Sequence, residues 1–188
     1  MFVITGLGNP GENYQNNRHN AGFMFVDYLY KNSEVVKLWK YDKYSQSEIS
    51  QVTFPLTDDR RLTTDLIKPQ TYMNKSGDAV KKFISNQKSE ISNLFVIHDD
   101  LDLTLTNFKI QKGIGPKVHN GISSIEDVLG SKDFWRVRIG VDNREDKKIS
   151  GESYVLQNFT SEKKKLLQDT FPKIKERLFQ NFYNILKP

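Results

Sequence analysis

Apolar residues along the chain fall into short continuous runs and helical stripes, separated by turn-forming clusters. Phe2 to Leu7 is a run of the kind a buried strand carries, and Gly8, Asn9, Pro10 and Gly11 after it force a turn. From about Asn20 to Lys31, Phe23, Val26, Asp27 and Tyr30 recur at helical spacing, while Met24, Phe25 and Leu29 widen the apolar face. A helix packed on a sheet is predicted there. Segments 47–54 and 61–68 read as strands, and Thr57-Asp58-Asp59 between them predicts a hairpin. Asn74-Lys75-Ser76 precedes a helical pattern from about Gly77 to Gln87, with Val80, Phe83 and Ile84 on one face. Leu94-Phe95-Val96-Ile97 is apolar throughout, as in a central strand covered on both faces, and ends in His98-Asp99-Asp100. There follow a strand over about Leu105 to Gln111, a loop over Lys112 to Val118, a helix over Asn120 to Leu129 and a strand over Arg136 to Val141. Ser161 to Leu186 predicts a C-terminal helical region whose apolar side carries Leu166, Leu167, Phe171, Ile174, Leu178, Phe182 and Ile185. Within it, Pro172 is expected to start a second segment or to kink the first.

Strands alternating with helices predict an α/β sandwich, and the hairpin adds antiparallel pairing, so the sheet is mixed. Ligands of such sheets gather beyond the carboxyl ends of the strands. The loops at Asn9, Asp99 and Asn120 each follow a predicted strand, and this topology can bring them to one crevice.

With 188 residues, one domain is the default. Hydrophobic residues are 37% and aromatics 12%, which supplies a packed core despite a mean hydropathy of −0.61. The start, MFVITGLGNPG, carries no basic leader, and no run approaches the roughly 18 apolar residues of a membrane span, so a cytoplasmic protein is expected. The absence of cysteine excludes disulfides, thiolate nucleophiles and cysteine-ligated zinc. A net charge of +5 and a pI of about 9.2 favour a polyanionic partner, without specifying one.

Gly6-Leu7-Gly8-Asn9-Pro10-Gly11 spells GxGxxG after a strand, as dinucleotide sites do. Such a site needs its helix to open inside the glycine loop. Pro10 and the polar run Glu12 to Asn17 delay helical periodicity to about residue 20, and Asp27 falls on that helix, so the nucleotide reading is set aside. His19, in Asn16-Asn17-Arg18-His19-Asn20, is the side chain best suited to take a proton from water at neutral pH. Asp99 could orient it and stabilise the imidazolium, although a loop histidine taken alone is more often structural. His98, Asp99, Asp100 and Asp102 could instead suggest a magnesium or manganese site, but they lack a spaced ligand frame and rank below the His19 pairing. Asn9, Asn74 and Asn120 each sit in or beside a predicted turn or helix start. Any one of them alone is a capping or turn residue, yet as a set their carboxamides can grip a peptide backbone or position a water without adding charge.

Gly6-Leu7-Gly8-Asn9-Pro10-Gly11, Tyr14, Arg18-His19-Asn20-Ala21-Gly22, Lys68-Pro69-Gln70-Thr71-Tyr72-Met73-Asn74, His98-Asp99-Asp100-Leu101-Asp102 and His119-Asn120-Gly121 resemble bacterial peptidyl-tRNA hydrolases in order and spacing. Arg136-Val137-Arg138-Ile139-Gly140-Val141 and Tyr154-Val155-Leu156 extend the resemblance over almost the whole chain. It implies a single α/β domain over 1–188, a mixed, mostly parallel twisted β-sheet surrounded by α-helices, acting as a monomer without metal or cofactor. The implied reaction is hydrolysis of the ester joining a peptide to the tRNA 3′ end, which returns the tRNA to translation. By position, His19 is then the base, Asp99 its support and Asn120 the residue that helps place the water. Asn9 and Asn74 bind the peptide or its ester, and Tyr14 and Met73 fall at the substrate site. A site that grips the peptide amide can favour a blocked amino group over the charged amine of aminoacyl-tRNA.

The tRNA is expected to be held through phosphates, with Lys109, Lys112, Lys117 and Arg138 as candidate contacts. Two departures from the family pattern bear on this. The loop Lys112 to Val118 is poor in glycine, and Gln111 stands where a basic phosphate-binding residue is expected, so altered tRNA affinity with intact chemistry is anticipated. The mixed-charge segment Asp142 to Lys148 is a candidate rim of the entrance. A relative that binds RNA without hydrolysis is the main alternative, and a nucleotide-binding oxidoreductase the second.

Overall fold

The apolar residues at the start of the chain form the middle of a seven-stranded sheet. The computed structural model describes residues 1–56, 59–144 and 148–187. β1 (Phe2–Gly6) is followed by β2 (Glu34–Asp42), β3 (Ser47–Pro55), β4 (Arg61–Pro69), β5 (Leu94–Thr104), β6 (Phe108–Lys112) and β7 (Trp135–Asp142). Their spatial order is β2-β3-β4-β1-β5-β7-β6. β4, β1, β5 and β7 run parallel as neighbours, while β3 pairs antiparallel with both β2 and β4, and β6 antiparallel with β7. The sheet is therefore mixed and mostly parallel, with helices over both faces.

Strand alternation divides the apolar runs between two cores. Phe2, Ile4, Phe95 and Ile97 pack with α1 (Ala21–Lys31) and α5 (Ser161–Leu186). Val3, Leu7, Leu94 and Val96 pack on the opposite face with α2 (Ser76–Asn86) and α3 (Asn120–Leu129). Both runs are continuously apolar because each must satisfy a core on either side.

Three differences from the sequence reading have clear causes. β2 went unpredicted: it is an edge strand, exposed along most of its length and irregular in register, so it shows no alternation to read. β5 does not stop at Ile97. Its last partner on β1 is there, but pairing with β7 continues through Asp100↔Gly140, so Asp99 lies within a strand and not in a loop after one. Residues 104–107 form a turn, with Asn107 N–H donating to the Thr104 carbonyl at 3.0 Å, which delays β6 to Phe108. α5 is one helix with Pro172 inside it. The short α4 (Gly151–Val155) was also unpredicted. The hairpin of β3 and β4 is present, though Thr57 and Asp58 of its turn lie outside the described residues. Glu145 to Lys147 of the candidate rim lie outside them too. Among the described residues, no helix is long and apolar enough to cross a membrane.

α1 seats directly on the carboxyl end of β1 and on β5 at Ile97. Leu7 N–H donates to the Ile97 carbonyl at 2.8 Å, and Phe23 N–H to the Leu7 carbonyl at 3.2 Å. Gly22 permits this approach, since a Cβ there would stand 2.3 Å from the Ile97 carbonyl oxygen and 2.5 Å from the Leu7 nitrogen. Alanine in place of a helical glycine gains about 1 kcal/mol in propensity, but backbone overlap at both contacts outweighs it. Gly22→Ala is expected to destabilise the fold by about 3 kcal/mol, read as a lower urea midpoint. An unchanged midpoint would show that α1 is not seated this closely.

Candidate active site

Asp99 sits on β5 just past the point where β1 ends, with 1% of its surface exposed. A carboxylate buried to this extent needs partners. Its Oδ1 receives two imidazole N–H groups, from His19 Nδ1 at 2.8 Å and from His119 Nε2 at 3.0 Å. Burial alone would raise the Asp99 pKa, but the charges and hydrogen bonds of the two histidines hold it well below the usual carboxylate range. Burial works against the imidazolium of His19, and Asp99 more than offsets it, so the His19 pKa is raised above 6.5.

The tautomers follow from the bonds. His119 precedes α3 and caps it: its Nδ1 accepts from Gly121 N–H at 3.1 Å and Ile122 N–H at 3.3 Å. Its proton therefore sits on Nε2, facing Asp99. His19 donates a hydrogen bond from Nδ1–H to Asp99, which leaves Nε2 with a lone pair. A third ring, His98, is fully buried and donates from Nδ1 to the Asp99 carbonyl at 2.7 Å. Burial, reinforced by His119, pushes its pKa far below 6.5, so it is neutral.

His19 lies in a short 3-10 turn, Arg18–Asn20, leading into α1. That turn is stapled to the segment after α4. Buried Arg18 donates from Nη1 to the carbonyls of Gln157 and Asn158, each at 3.0 Å, and its guanidinium stacks 4.0 Å from the Tyr154 ring centre. The Asn17 side chain bonds the Leu156 carbonyl.

Asn9 is clamped in a similar way. Its N–H donates to Asn20 Oδ1 and its carbonyl accepts from Asn20 Nδ2, both at 2.9 Å. Its side-chain Oδ1 accepts from Met73 N–H at 2.9 Å, so the remaining group, Nδ2, is a donor. Asn9, His19, Met73, Asn74, Asp99, His119 and Asn120 all line one crevice of about 540 Å³. Tyr72, Leu101, Val118, Val155 and Leu156 give it apolar walls.

The structure thus brings together His19, Asp99, Asn9, Met73, Asn74 and Asn120. Tyr14, half-buried in the 3-10 turn Glu12–Tyr14, is not among the residues lining the crevice. Lys109 and Lys117 are exposed, and Lys112 pairs with Asp133 at 2.9 Å. Arg138 is buried: Nε donates to Asp100 Oδ2 at 2.6 Å and Nη1 to Gln111 Oε1 at 3.0 Å. Gln111 therefore serves as a partner of Arg138. Sequence reasoning missed the role of His119. The signal available was its position before a helix whose first amides need an acceptor.

The ligand atoms of His19, Asp99 and His119 lie within 4.8 Å of one another, so among the described residues this trio could hold a metal ion. The two hydrogen bonds to Asp99 already account for its geometry.

The family model for peptidyl-tRNA hydrolase matches residues 3–184. A peptidyl-tRNA hydrolase from Thermodesulfovibrio yellowstonii is 42% identical over 171 residues, covering 90% of this chain and 86% of that protein. One from the Wolbachia of Brugia malayi is 36% identical over 187 residues, covering 100% and 94%. A crystal structure of peptidyl-tRNA hydrolase from Acinetobacter baumannii superposes with a TM-score of 0.79 at 28% identity, covering 93% of this chain and 87% of that one.

The raised His19 pKa makes its contribution to stability full below the unfolded value of 6.5 and lost as pH rises through the folded pKa. The lowered Asp99 pKa contributes above about 3.8 and is lost only on acidification. Titration of His19 by NMR is therefore expected to give a pKa above 6.5 that falls in Asp99→Asn, and the melting temperature of the native protein should decline as pH rises through it. A His19 pKa unmoved by Asp99→Asn would break the assigned pairing.

Proposed function

The chain belongs to the peptidyl-tRNA hydrolase family, and we propose that it hydrolyses peptidyl-tRNA with a water activated by His19. The reaction is cleavage of the ester between a peptide, or an N-blocked amino acid, and the tRNA 3′ end. The observation that carries the mechanism is the 2.8 Å bond from His19 Nδ1 to buried Asp99, which leaves Nε2 as the proton acceptor in the crevice.

Water held by Asn120 and His19 Nε2 attacks the ester carbonyl, and its proton passes to Nε2. Asp99 stabilises the imidazolium that forms. The Nδ2 donor of Asn9, aimed by the Met73 N–H on its Oδ1, faces the developing oxyanion or the adjoining peptide carbonyl. Asn74 binds the peptide backbone, and Tyr14 flanks the approach. Collapse of the tetrahedral intermediate breaks the bond to the ribose oxygen, which takes the proton from His19. The products are a free peptide and a tRNA.

His119 orients Asp99 in this scheme, while its Nδ1 caps α3. The same residues favour a peptide amide over the charged amine of aminoacyl-tRNA. Lys109, Lys112, Lys117 and Arg138 are the phosphate contacts of this reading. The whole of 1–188 acts as one domain, as a cytoplasmic monomer, and no metal ion takes part.

Release of N-acetyl-amino acid from N-acetyl-aminoacyl-tRNA is the test. The native protein is expected to act at the same rate with and without a chelator, and His19→Ala to lower the rate by about a thousandfold. The acid limb of the rate profile should track the His19 pKa, above 6.5. A folded native protein that binds tRNA and releases nothing would make an RNA-binding relative the better account. Loss of activity to the chelator would instead implicate His19, Asp99 and His119 as metal ligands.

A further inference from the structure

Arg136 is among the largest fully buried side chains of the described residues, and the proposed chemistry makes no use of it. It stands on β7 two residues before Arg138, hence on the same face of the strand. Its Nη2 donates to Glu126 Oε1 at 2.6 Å, and Lys132 lies 3.4 Å from the other oxygen of that carboxylate. The Phe134 ring centre is 4.2 Å from the guanidinium carbon. Nε and Nη1 have no hydrogen-bond partner. A buried cation kept for structure alone would place those donors on carbonyls or carboxylates. Burial pulls the guanidinium below its ordinary pKa, Glu126 opposes this, and the like charge of Arg138 adds to it. An anion would complete the site.

The cover over Arg136 is the 113–117 loop. Gly115 comes so close that a Cβ would lie 3.1 Å from Nε. The loop is tied at its ends, through Gly113 N–H to the Phe134 carbonyl at 3.1 Å and Lys117 N–H to Asp102 Oδ2 at 2.9 Å. Among the described residues, no hydrogen bond holds Ile114, Gly115 or Pro116 between those ties. The side chain of Ile114 is 57% exposed.

We propose that Arg136 is a covered phosphate-binding site for the tRNA backbone, exposed when residues 114–116 lift away. Nε and Nη1 lie on different edges of the guanidinium, and each can donate singly to a phosphate oxygen. The inference rests on the hydrolase reading for its ligand, since the peptide carboxyl is esterified and the backbone phosphates are the anions such a substrate carries. It assigns a contact separate from Arg138, whose Nε and Nη1 are already engaged by Asp100 and Gln111.

The first readout uses the native protein. Its arginine Nε–H resonances are followed by NMR as deacylated tRNA is added, with the Arg136 signal assigned through Arg136→Lys. Saturable movement of that signal, suppressed by salt, is the expected result. The second readout is tRNA affinity across a potassium chloride series for the double variant Arg136→Gln/Glu126→Gln, which removes both charges so that the half-buried carboxylate is not left without its arginine. About tenfold weaker binding and a salt slope shallower by roughly 0.7 to 0.9, the value of one phosphate, are expected. KM for an N-acetyl-aminoacyl-adenosine, which lacks the backbone phosphates, should stay unchanged. An Arg136 resonance that stays still at saturating tRNA, or equal losses on both substrates, overturns the site. Native protein that hydrolyses N-acetyl-aminoacyl-tRNA while Arg136 stays silent rejects this inference alone. Native protein that moves the Arg136 signal without hydrolysing removes the enzymatic reading and leaves an RNA site.

Discussion

One carboxylate oxygen organises the crevice of this molecule. Asp99 Oδ1 is buried and accepts from two histidines that lie 80 residues before it and 20 residues after it in the chain. Losing one donor would leave a buried charge half compensated, which costs far more than a surface ion pair contributes. Each ring is consequently confined to one orientation and one tautomer. The 3-10 turn carrying His19 and the amino end of α3 carrying His119 must both reach β5, so the constraint at one atom becomes a constraint on three elements.

The fold meets that constraint by letting β5 outrun β1. Had β1 continued beside it, backbone pairing would have occupied the space that the 3-10 turn and the start of α1 now fill. Gly22 removes the Cβ that would hold α1 away from the strand ends, and Arg18 binds the turn to the carbonyls after α4. Asn20, one residue beyond His19, clamps the backbone of Asn9 from both sides. A single turn of chain therefore fixes His19 and, through Asn9, a carboxamide donor on the crevice wall. Met73 completes that wall through its backbone, which explains why a buried apolar residue lies among polar ones.

Much of this was legible in the sequence wherever burial imposes a period. The runs at 2–7 and 94–97, the helical stripes of α1, α2 and α3, and the long apolar side of α5 all reflect contact with a core. His19, Asp99 and the three asparagines could be picked out because polar groups stood next to those apolar runs. β2 was illegible because an exposed edge has no face to protect. The length of β5 was illegible because His98, Asp99 and Asp100 interrupt the apolar run with side chains that pair across space. His119 was hidden for a related reason: its cap on α3 is local, but its bond to Asp99 depends on tertiary placement. Arg138 likewise reads as a basic residue in the chain, and only the fold reveals Asp100 and Gln111 around it.

The distribution of charge fits an ester-cleaving site that works on a polyanion. No lysine or arginine appears among the described residues lining the crevice, where the ionisable groups are His19, Tyr72, Asp99, His119 and Glu152. Its other polar contacts are carboxamides, which can hold a peptide or place a water but offer phosphate no full charge. The basic side chains considered for the tRNA, Lys109, Lys112, Lys117 and Arg138, lie outside it. A cation inside would attract backbone phosphate to the place the ester must occupy, and it would pull down the pKa of the His19 imidazolium that Asp99 raises. Confining net positive charge to the surroundings leaves the proton affinity of His19 to one buried carboxylate. Affinity for the nucleic acid and reactivity toward the ester can then vary separately. Gln111, standing where a basic residue was expected, illustrates this: it alters the company of Arg138 and leaves the bonds to Asp99 untouched.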